Sequence, residues 1–384
     1  METPKTEAEL AAVIRKAHAD KTPLRIRGGG TRADLGRPAQ PAGVLSTQGL
    51  SGITLYDPGA LTLIARSGTS MAEIEAALEV ENQMLAFEPI DYRGLLGTDG
   101  EPTIGGTVAA NISGPRRVLV GACRDFVLGV RFVTGEGDIV KNGGRVMKNV
   151  TGLDLSKLQC GAYGGLGVLT EVSMKVMPKP QAAMTLVFEG FTPEQGLALL
   201  RKALGTPFEL AGAAFLPGEP SRTCLRIEGL KTQVDYRMKN LAALSSGPSK
   251  ILRGAEHEAL WKNIRDVAPF HGSDRPVWRL SVKPSAAADI ASALEASLGA
   301  EAFFDWGGGL IWLQTPDATD DIARAIRTEI APHGGHATLI RGTAQQRAAL
   351  DVFQPEAPRL AEVSRQLREK FDPAGVLNPG LMAA

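Results

Sequence analysis

The sequence predicts an α+β protein of two parts, for three reasons. Up to residue 177, short helix and strand patterns alternate around a glycine-dense stretch at 94–167. The segment 177–180, Met-Pro-Lys-Pro, then ends a strand, because proline cannot donate to a sheet ladder. Beyond it the order strand, helix, strand, strand, helix occurs twice, which indicates one antiparallel sheet with helices on a face. We expect domains at 1–180 and 181–355, and a tail at 356–384 that returns to the first domain.

The first domain is expected to begin with helix, strand, loop, two strands and helix. Thr6 to Glu9 and Ser70 to Glu73 both have the form of a capping box, and apolar residues at helical spacing follow each. Runs that predict strands lie at 24–26, 53–56, 61–65, 127–133 and 168–177.

The second domain and the tail give signals of the same kind. Thr192-Pro193-Glu194-Gln195 opens a helix with proline at the first helical position. A tail helix is predicted at 358–371 and is stopped by Asp-Pro. Further strands are expected near 184–188, 211–215, 223–227, 277–282, 302–305, 310–313 and 336–340, with helices near 231–244, 284–297 and 317–330.

Composition argues against several classes of function. Lys plus Arg and Asp plus Glu both total 42, so the neutral chain gives no general electrostatic case for nucleic acid or an anionic membrane. No secretory signal is visible at the start, and no run approaches the ~20 apolar residues that span a bilayer. Cys123, Cys160 and Cys224 are too far apart in the sequence for an iron–sulfur site, and we expect buried, reduced thiols in a cytoplasmic protein.

Arg27-Gly-Gly-Gly-Thr-Arg32 is the first motif that could carry chemistry. Consecutive glycines after a strand expose several backbone N–H groups to one point, and such a nest binds phosphate oxygens. The segment is not a P-loop, because no Gly-Lys-Ser/Thr follows, and it is not G-x-G-x-x-G. A phosphate site and a surface turn both remain open on this motif alone.

Two further segments add small residues and a glycine loop. Residues 103–114 would let a planar ligand lie against backbone, with Thr103, Asn111 and Ser113 as hydrogen-bonding groups; the alternative is a tightly packed loop core. Residues 148–170 pass through a glycine loop into a buried strand, whose backbone could pair with an adenine edge. Lys148 and Asp154 are either functional or a structural charge pair.

The order and spacing of these three segments resemble the FAD-binding domain of the p-cresol methylhydroxylase (vanillyl-alcohol oxidase) type. Residues 125–130, 134–137, 371–373 and 378–380 fit the same pattern. Within that superfamily, Gly114-Pro-Arg-Arg117, Trp278-Arg-Leu-Ser281 and Gly335-His-Ala-Thr338 resemble the FAD-binding subunits of bacterial glycolate oxidases. The resemblance implies a two-subdomain FAD-binding module with a ferredoxin-like α+β cap domain.

The resemblance also implies where FAD binds. Residues 28–32 should hold the pyrophosphate, 103–114 should line the flavin and pyrophosphate, and Val168 should meet the adenine through its backbone. Many relatives attach FAD through a histidine after the glycine triplet; Thr31 stands there, so we expect non-covalent FAD. The implied cofactor-binding residues are Arg27, Gly28, Gly29, Gly30, Thr31, Arg32, Thr103, Ile104, Gly105, Gly106, Val108, Ala109, Asn111, Ser113, Gly114, Asp125, Gly167, Val168 and Asn378.

Substrate residues are less marked. Arg265 ends a Leu-Trp segment that resembles one in which relatives place an arginine on the substrate carboxylate. The alternative is that it is an ordinary surface or interface arginine. Arg279 and His336 are further substrate candidates. No catalytic base can be assigned. The His-x-Gly-Asp-Gly-Asn segment of metal-dependent relatives is replaced at 332–338, so no metal is expected.

The implied function is the FAD-binding subunit of a glycolate oxidase or dehydrogenase complex. It would oxidise glycolate to glyoxylate and pass electrons through the flavin to a larger FAD-linked subunit and an iron–sulfur subunit. Contact with the inner membrane face would come only through these partners. A stand-alone FAD-dependent 2-hydroxyacid dehydrogenase and a largely structural assembly subunit are the alternatives.

Overall fold

The structure is a computed structural model that describes residues 1–38, 41–145 and 152–382. These residues form seventeen strands, here β1 to β17: Leu24–Arg27, Gly43–Ser46, Ile53–Asp57, Thr62–Arg66, Gln83–Met84, Val127–Val133, Ile139–Gly143, Val168–Lys175, Met177–Pro178, Ala182–Glu189, Gly212–Leu216, Arg222–Gly229, Ser249–Arg253, Val277–Ser281, Glu301–Asp305, Leu310–Gln314 and His336–Arg341.

The same residues form fourteen α-helices, here α1 to α14: Glu7–Asp20, Met71–Val80, Arg93–Leu96, Ile104–Ala109, Arg117–Val120, Cys123–Phe126, Leu155–Gln159, Pro193–Leu204, Lys231–Ala242, Gly254–Arg265, Ala287–Leu298, Asp320–Ile330, Ala344–Ala349 and Pro358–Phe371. Short 3-10 helices occur at Ala268–Phe270, Pro284–Ala286, Trp306–Gly308 and Ala331–His333.

Of the three sheets that the described residues form in the N-terminal half, two flank a cleft, and the third is the short pair β5–β9. β1 and β2 pair in parallel, and Leu377 of the tail pairs beside Leu24. An antiparallel sheet has the order β3-β4-β8-β6-β7. The expected helices form because Thr6 and Ser70 accept hydrogen bonds from the backbone N–H groups of Glu9 and Glu73. The tail therefore closes back onto the first strand of the chain.

Residues 181–355, all of them described, form one antiparallel sheet in the order β13-β10-β12-β11-β15-β16-β14-β17. Each half of it has the β-α-β-β-α-β connectivity of a ferredoxin-like unit. The two halves meet where Phe215 of β11 lies opposite Phe304 of β15. The predicted fold class is confirmed, while the domain limits at 180 and 355 stay predictions.

The sequence did not predict β13, α10 or the helix α4. β13 is an edge strand whose residues are mostly exposed, so it carries no alternation of apolar residues. In α4, Ile104 to Ala109 lie within a segment read as loop from its small residues; Thr103 caps it by accepting from the Gly106 N–H at 3.3 Å.

Strand alternation decides what each face of the eight-stranded sheet contacts. In β14, Trp278 and Leu280 pack with the helices α8, α9, α11 and α12, while Val277 packs with residues of the N-terminal half. Arg279 has the same parity as Val277 and so faces the N-terminal half too. The surface between the two halves, here called the seam, is therefore formed by one face of this sheet.

Buried charge pairs join the two halves across the seam. Arg226 of β12 donates to both Glu88 carboxylate oxygens at 2.8 and 2.6 Å, and its guanidinium carbon lies 4.4 Å from the centre of the Trp261 ring. Arg116 pairs with Glu228 in the same region. Burial alone would raise the pKa of Glu88, but Arg226 and Arg116 outweigh it and hold that pKa below its usual value.

We predict that Glu88→Gln destabilises the fold by about 3 kcal/mol, because it leaves the buried Arg226 guanidinium without its full counter-charge. Urea unfolding followed by circular dichroism measures the change. Glu362→Gln is the matched control, since Glu362 pairs with Arg365 on an exposed helix face and should leave the midpoint unchanged. Equal midpoints for all three proteins would contradict this view of the seam.

Candidate FAD site

An open cleft of about 1250 Å³, including its mouth, lies between the β1–β2 sheet and α4. The glycine loop after β1 forms one wall, and the start of β8 and the tail close it. Predicted cofactor residues on its wall are Arg27, Gly28, Gly29, Gly30, Thr31, Arg32, Thr103, Gly105, Gly106, Ala109, Gly167, Val168 and Asn378. The structure thus brings together residues up to 351 positions apart in the chain.

The loop 28–30 packs backbone to backbone against residues 100–103. A Cβ atom on Gly29 would lie 1.5 Å from the carbonyl oxygen of Glu101, and one on Gly28 would lie 2.5 Å from Oγ1 of Thr103. Gly30 has φ +85, a backbone conformation that side chains with a Cβ rarely adopt. Close approach therefore requires these glycines, and all three lie on the cleft wall.

Arginines line this cleft without carboxylate partners among the described residues. Arg25 donates to the Ala33 carbonyl at 3.2 Å, but its buried Nη1 has no hydrogen-bond partner within the described chain. Arg32 reaches Oγ1 of Thr107 at 3.5 Å, and burial lowers its pKa. Ser67 Oγ is likewise buried and unpartnered there. Such groups fit an anionic ligand that supplies oxygen acceptors, as the FAD pyrophosphate does.

The far end of the cleft is built by β8 and the tail. Gly167 has φ +145, and a Cβ there would lie 2.6 Å from the Phe132 ring. Val168 begins β8, as expected for a strand whose backbone faces the cleft. Asn378 lies on the wall, but its amide already accepts from the Ile26 N–H and donates to the Tyr163 carbonyl, both at 2.8 Å. Its role in the described contacts is to tie the tail to β1 and to Tyr163.

The other predicted cofactor residues lie off the cleft wall. Ile104 and Val108 are fully buried in the core of the five-stranded sheet. The side-chain Oδ1 of Asn111 accepts from the Arg124 N–H, and Ser113 Oγ accepts from the Cys123 N–H. These four residues therefore stabilise the segment that lies behind the cleft wall.

Gly114 and Asp125 are also held by backbone contacts. The Gly114 carbonyl accepts from the Trp306 indole N–H at 3.1 Å, and Asp125 accepts from the Ala122 N–H at 2.8 Å. Of the charge pair considered above, Lys148 lies outside the described residues, and Asp154 caps α7 by accepting from the Lys157 N–H.

Sequence reasoning missed several wall residues, including Arg25, Ser67, Gln159 and Tyr163. Arg25 precedes the glycine motif and gives no motif signal of its own. Tyr163 lies inside the glycine loop of the segment 148–170, but only the fold shows that it faces both the cleft and the seam.

The three substrate candidates differ in their partners. Arg265 is bound by its neighbour: Nε and Nη2 donate to the two Asp266 carboxylate oxygens, each at 2.8 Å. Arg279 instead lies 5.1 Å above the Trp306 ring. His336 lies in β17 diagonally from Arg279, since Ser281 pairs with His336 and Arg279 with Thr338. Burial, then Arg279 and Arg117, lower the pKa of His336, which keeps it neutral at neutral pH.

Tyr163 connects the cleft to the seam. Burial and the nearby Tyr92 raise the pKa of Tyr163 to about 12, against the opposing fields of Arg279 and Arg32. Arg32 belongs to the cleft wall and Arg279 to the cap sheet, so both are close enough to act on one phenol. The cleft and the seam therefore adjoin at Tyr163.

Within residues 1–38, 41–145 and 152–382, no group of three or more His, Cys, Asp or Glu side chains is arranged to hold a metal ion. No helix of that part of the chain is long and apolar enough to cross a bilayer.

A family model described as an FAD binding domain matches residues 2–143. Glycolate oxidase subunit GlcE of Escherichia coli (strain K12) is 37% identical over 378 residues, which covers 98% of this chain and 97% of that protein. The chain belongs to the FAD-binding family of GlcE. Its cofactor is FAD, and the cleft residues described above fit that cofactor.

Another relative matches about half of the chain. Glycolate oxidase subunit GlcD of Bacillus subtilis (strain 168) is 30% identical over 48% of this chain and 38% of its own length. Among solved structures, 4-ethylphenol oxidase from Gulosibacter chungangensis has a TM-score of 0.73 at 13% identity, covering 99% of this chain and 88% of that one. An alkyldihydroxyacetonephosphate synthase has a TM-score of 0.71 at 17% identity, over 98% of this chain and 75% of that one. These two share the fold.

We predict that Gly29→Ala lowers the affinity for FAD at least about tenfold, because a Cβ would displace the loop from Glu101. The measurement is flavin absorbance per chain, read in the supernatant after acid precipitation, which also tests non-covalent binding. Gly59→Ala is the control, since its Cβ would meet only Asp57 Oδ1, at 3.6 Å. Full flavin content in Gly29→Ala, or flavin that stays with the precipitate, would contradict this assignment.

Proposed function

We propose that the chain is the FAD-binding subunit of a glycolate oxidase complex, which oxidises glycolate to glyoxylate and passes electrons through its flavin to partner subunits. The observation that carries this is the 37% identity with E. coli GlcE along nearly the whole of both chains. Matching over both the cleft half and the cap matters, because the cap forms the side of the site that differs between flavoenzymes of one fold.

The bound FAD would supply the redox chemistry, and the chain supplies binding and orientation. We assign the pyrophosphate to the glycine loop 28–30 and to Arg25, Arg27 and Arg32 on the same wall. The adenine end is assigned to Gly167 and Val168, and the flavin end to the side where Tyr163 adjoins the seam. Thr31 follows the glycines, and the described residues of the wall include no histidine, which supports non-covalent attachment.

The partners we propose are a larger FAD-linked subunit and an iron–sulfur subunit. GlcE and GlcD both carry the name of glycolate oxidase subunits, and this chain resembles each of them. Cys123, Cys160 and Cys224 are buried and free, so a cluster would have to belong to another chain. We propose that the complex works in the cytoplasm and that any membrane contact comes through the partners.

The alternatives receive less support. The D-lactate dehydrogenase of Anaerostipes hadrus is 33% identical over 47% of this chain, so it supports the shared FAD half more than a shared substrate. A purely structural subunit would not need a glycine loop packed this closely, nor arginines without counter-charges along a cleft.

The proposal is tested in the assembled complex. Co-expressed with its GlcD-like and iron–sulfur partners, the wild-type chain should support glycolate-dependent reduction of a dye acceptor. A complex that contains the Gly29→Ala chain should still assemble. Its rate of dye reduction should fall about tenfold or more, since its FAD is missing. Size-exclusion chromatography checks assembly, and the Gly59→Ala complex is the control.

Two results would contradict the proposal. If the FAD-free complex kept its full glycolate rate, the chain would be an assembly subunit. If the wild-type chain reduced the dye with glycolate in the absence of any partner, it would be a stand-alone dehydrogenase.

A further inference from the structure

We propose that Arg117 and Arg279, which both lie against the Trp306 ring in the seam, bind the carboxylate of a small hydroxy acid next to the flavin end of the cleft. This rests on the function proposed above and names the part of this chain that would meet its substrate. It places substrate contact on this subunit.

The site is formed around a fixed indole ring. The Trp306 indole N–H donates to the Gly114 carbonyl at 3.1 Å, and its backbone N–H donates to Asp305 Oδ1 at 2.7 Å. The guanidinium carbon of Arg117 lies 4.7 Å from the ring centre and that of Arg279 lies 5.1 Å from it. One arginine comes from the N-terminal half and the other from β14, so the ring holds two cations from opposite sides of the seam close together.

These two arginines differ from three others in the seam. Arg116, Arg226 and Arg265 are each paired with a carboxylate. Within the described residues, neither the Arg117 nor the Arg279 side chain makes an ion pair or a hydrogen bond. Burial, followed by the field of Arg279, lowers the pKa of Arg117, which is the expected effect of a second cation nearby. A bound carboxylate would relieve this repulsion, and its two oxygens match the guanidinium fork.

The surroundings suit a small hydroxy acid. Tyr92 is buried and Tyr163 is partly buried, and the charge of Arg279 acts on both phenols. Neither side chain makes a hydrogen bond within the described chain, so both hydroxyls are free to bond a substrate oxygen. Burial raises the pKa of both phenols, so both stay protonated at neutral pH. His336 lies diagonally across the strands from Arg279, and burial, followed by Arg279 and Arg117, lowers its pKa. Tyr163 also lines the cleft, which puts this group next to the flavin end.

The test is isothermal titration calorimetry of the FAD-loaded chain with oxalate, a small dianion that lacks an oxidisable hydroxyl. The wild type should bind oxalate saturably, and Arg279→Gln and Arg117→Gln should each weaken binding at least about tenfold while keeping full FAD content. Arg279→Lys should bind with intermediate affinity, since it keeps the charge without the fork. Arg324→Gln, an exposed cap arginine paired with Asp321, is the control and should match the wild type.

Each outcome separates this proposal from the proposed function. Unchanged oxalate affinity in FAD-loaded Arg279→Gln and Arg117→Gln would overturn the site. The site would also be overturned if the complex oxidised glycolate while the wild-type chain bound neither oxalate nor glycolate. In that case the proposed function would stand and the anion site would not. If the complex failed to oxidise glycolate while oxalate binding still required both arginines, the anion site would stand and the proposed function would fall.

Discussion

The face that the eight-stranded sheet turns toward the N-terminal half is the constraint on which the rest of the structure depends. Alternation along β12, β14 and β17 sends one set of side chains to the helices and the other set into the seam. A one-residue shift in any of these strands would exchange the two sets. The same register that buries Trp278 and Leu280 therefore also presents Arg279 to the N-terminal half.

The seam uses its charges in two ways. Arg226 with Glu88 and Arg116 with Glu228 are complete pairs, and they fix the two halves against each other. Arg117 and Arg279 are left without counter-charges in the described chain, as are Arg25 and Arg32 in the neighbouring cleft. These paired arginines hold the fold, and these four unpaired ones lie where an anionic ligand fits.

Much of the fold could be predicted because its signals are local. Caps, prolines and alternating apolar residues predicted the capped helices, the tail helix at Pro358–Phe371 and the repeated ferredoxin-like order. β13 escaped prediction because it is an exposed edge strand, and α4 because its small residues resemble a loop. In the site, the glycine motif could be recognised from the sequence, since close packing requires glycine. The hydrogen bonds of the Asn378 side chain to backbone groups could not be predicted, nor could the pairing of Arg265 with Asp266, because both depend on tertiary contacts.

The central claim is that the FAD cleft and the Arg117–Trp306–Arg279 group form one continuous site. The most direct measurement is the visible absorption spectrum of the FAD-loaded chain during titration with oxalate. An anion bound beside the flavin should shift the flavin bands saturably, with the midpoint found by calorimetry. A spectrum that stays constant over the range in which calorimetry shows saturation would place the anion away from the flavin and contradict the claim.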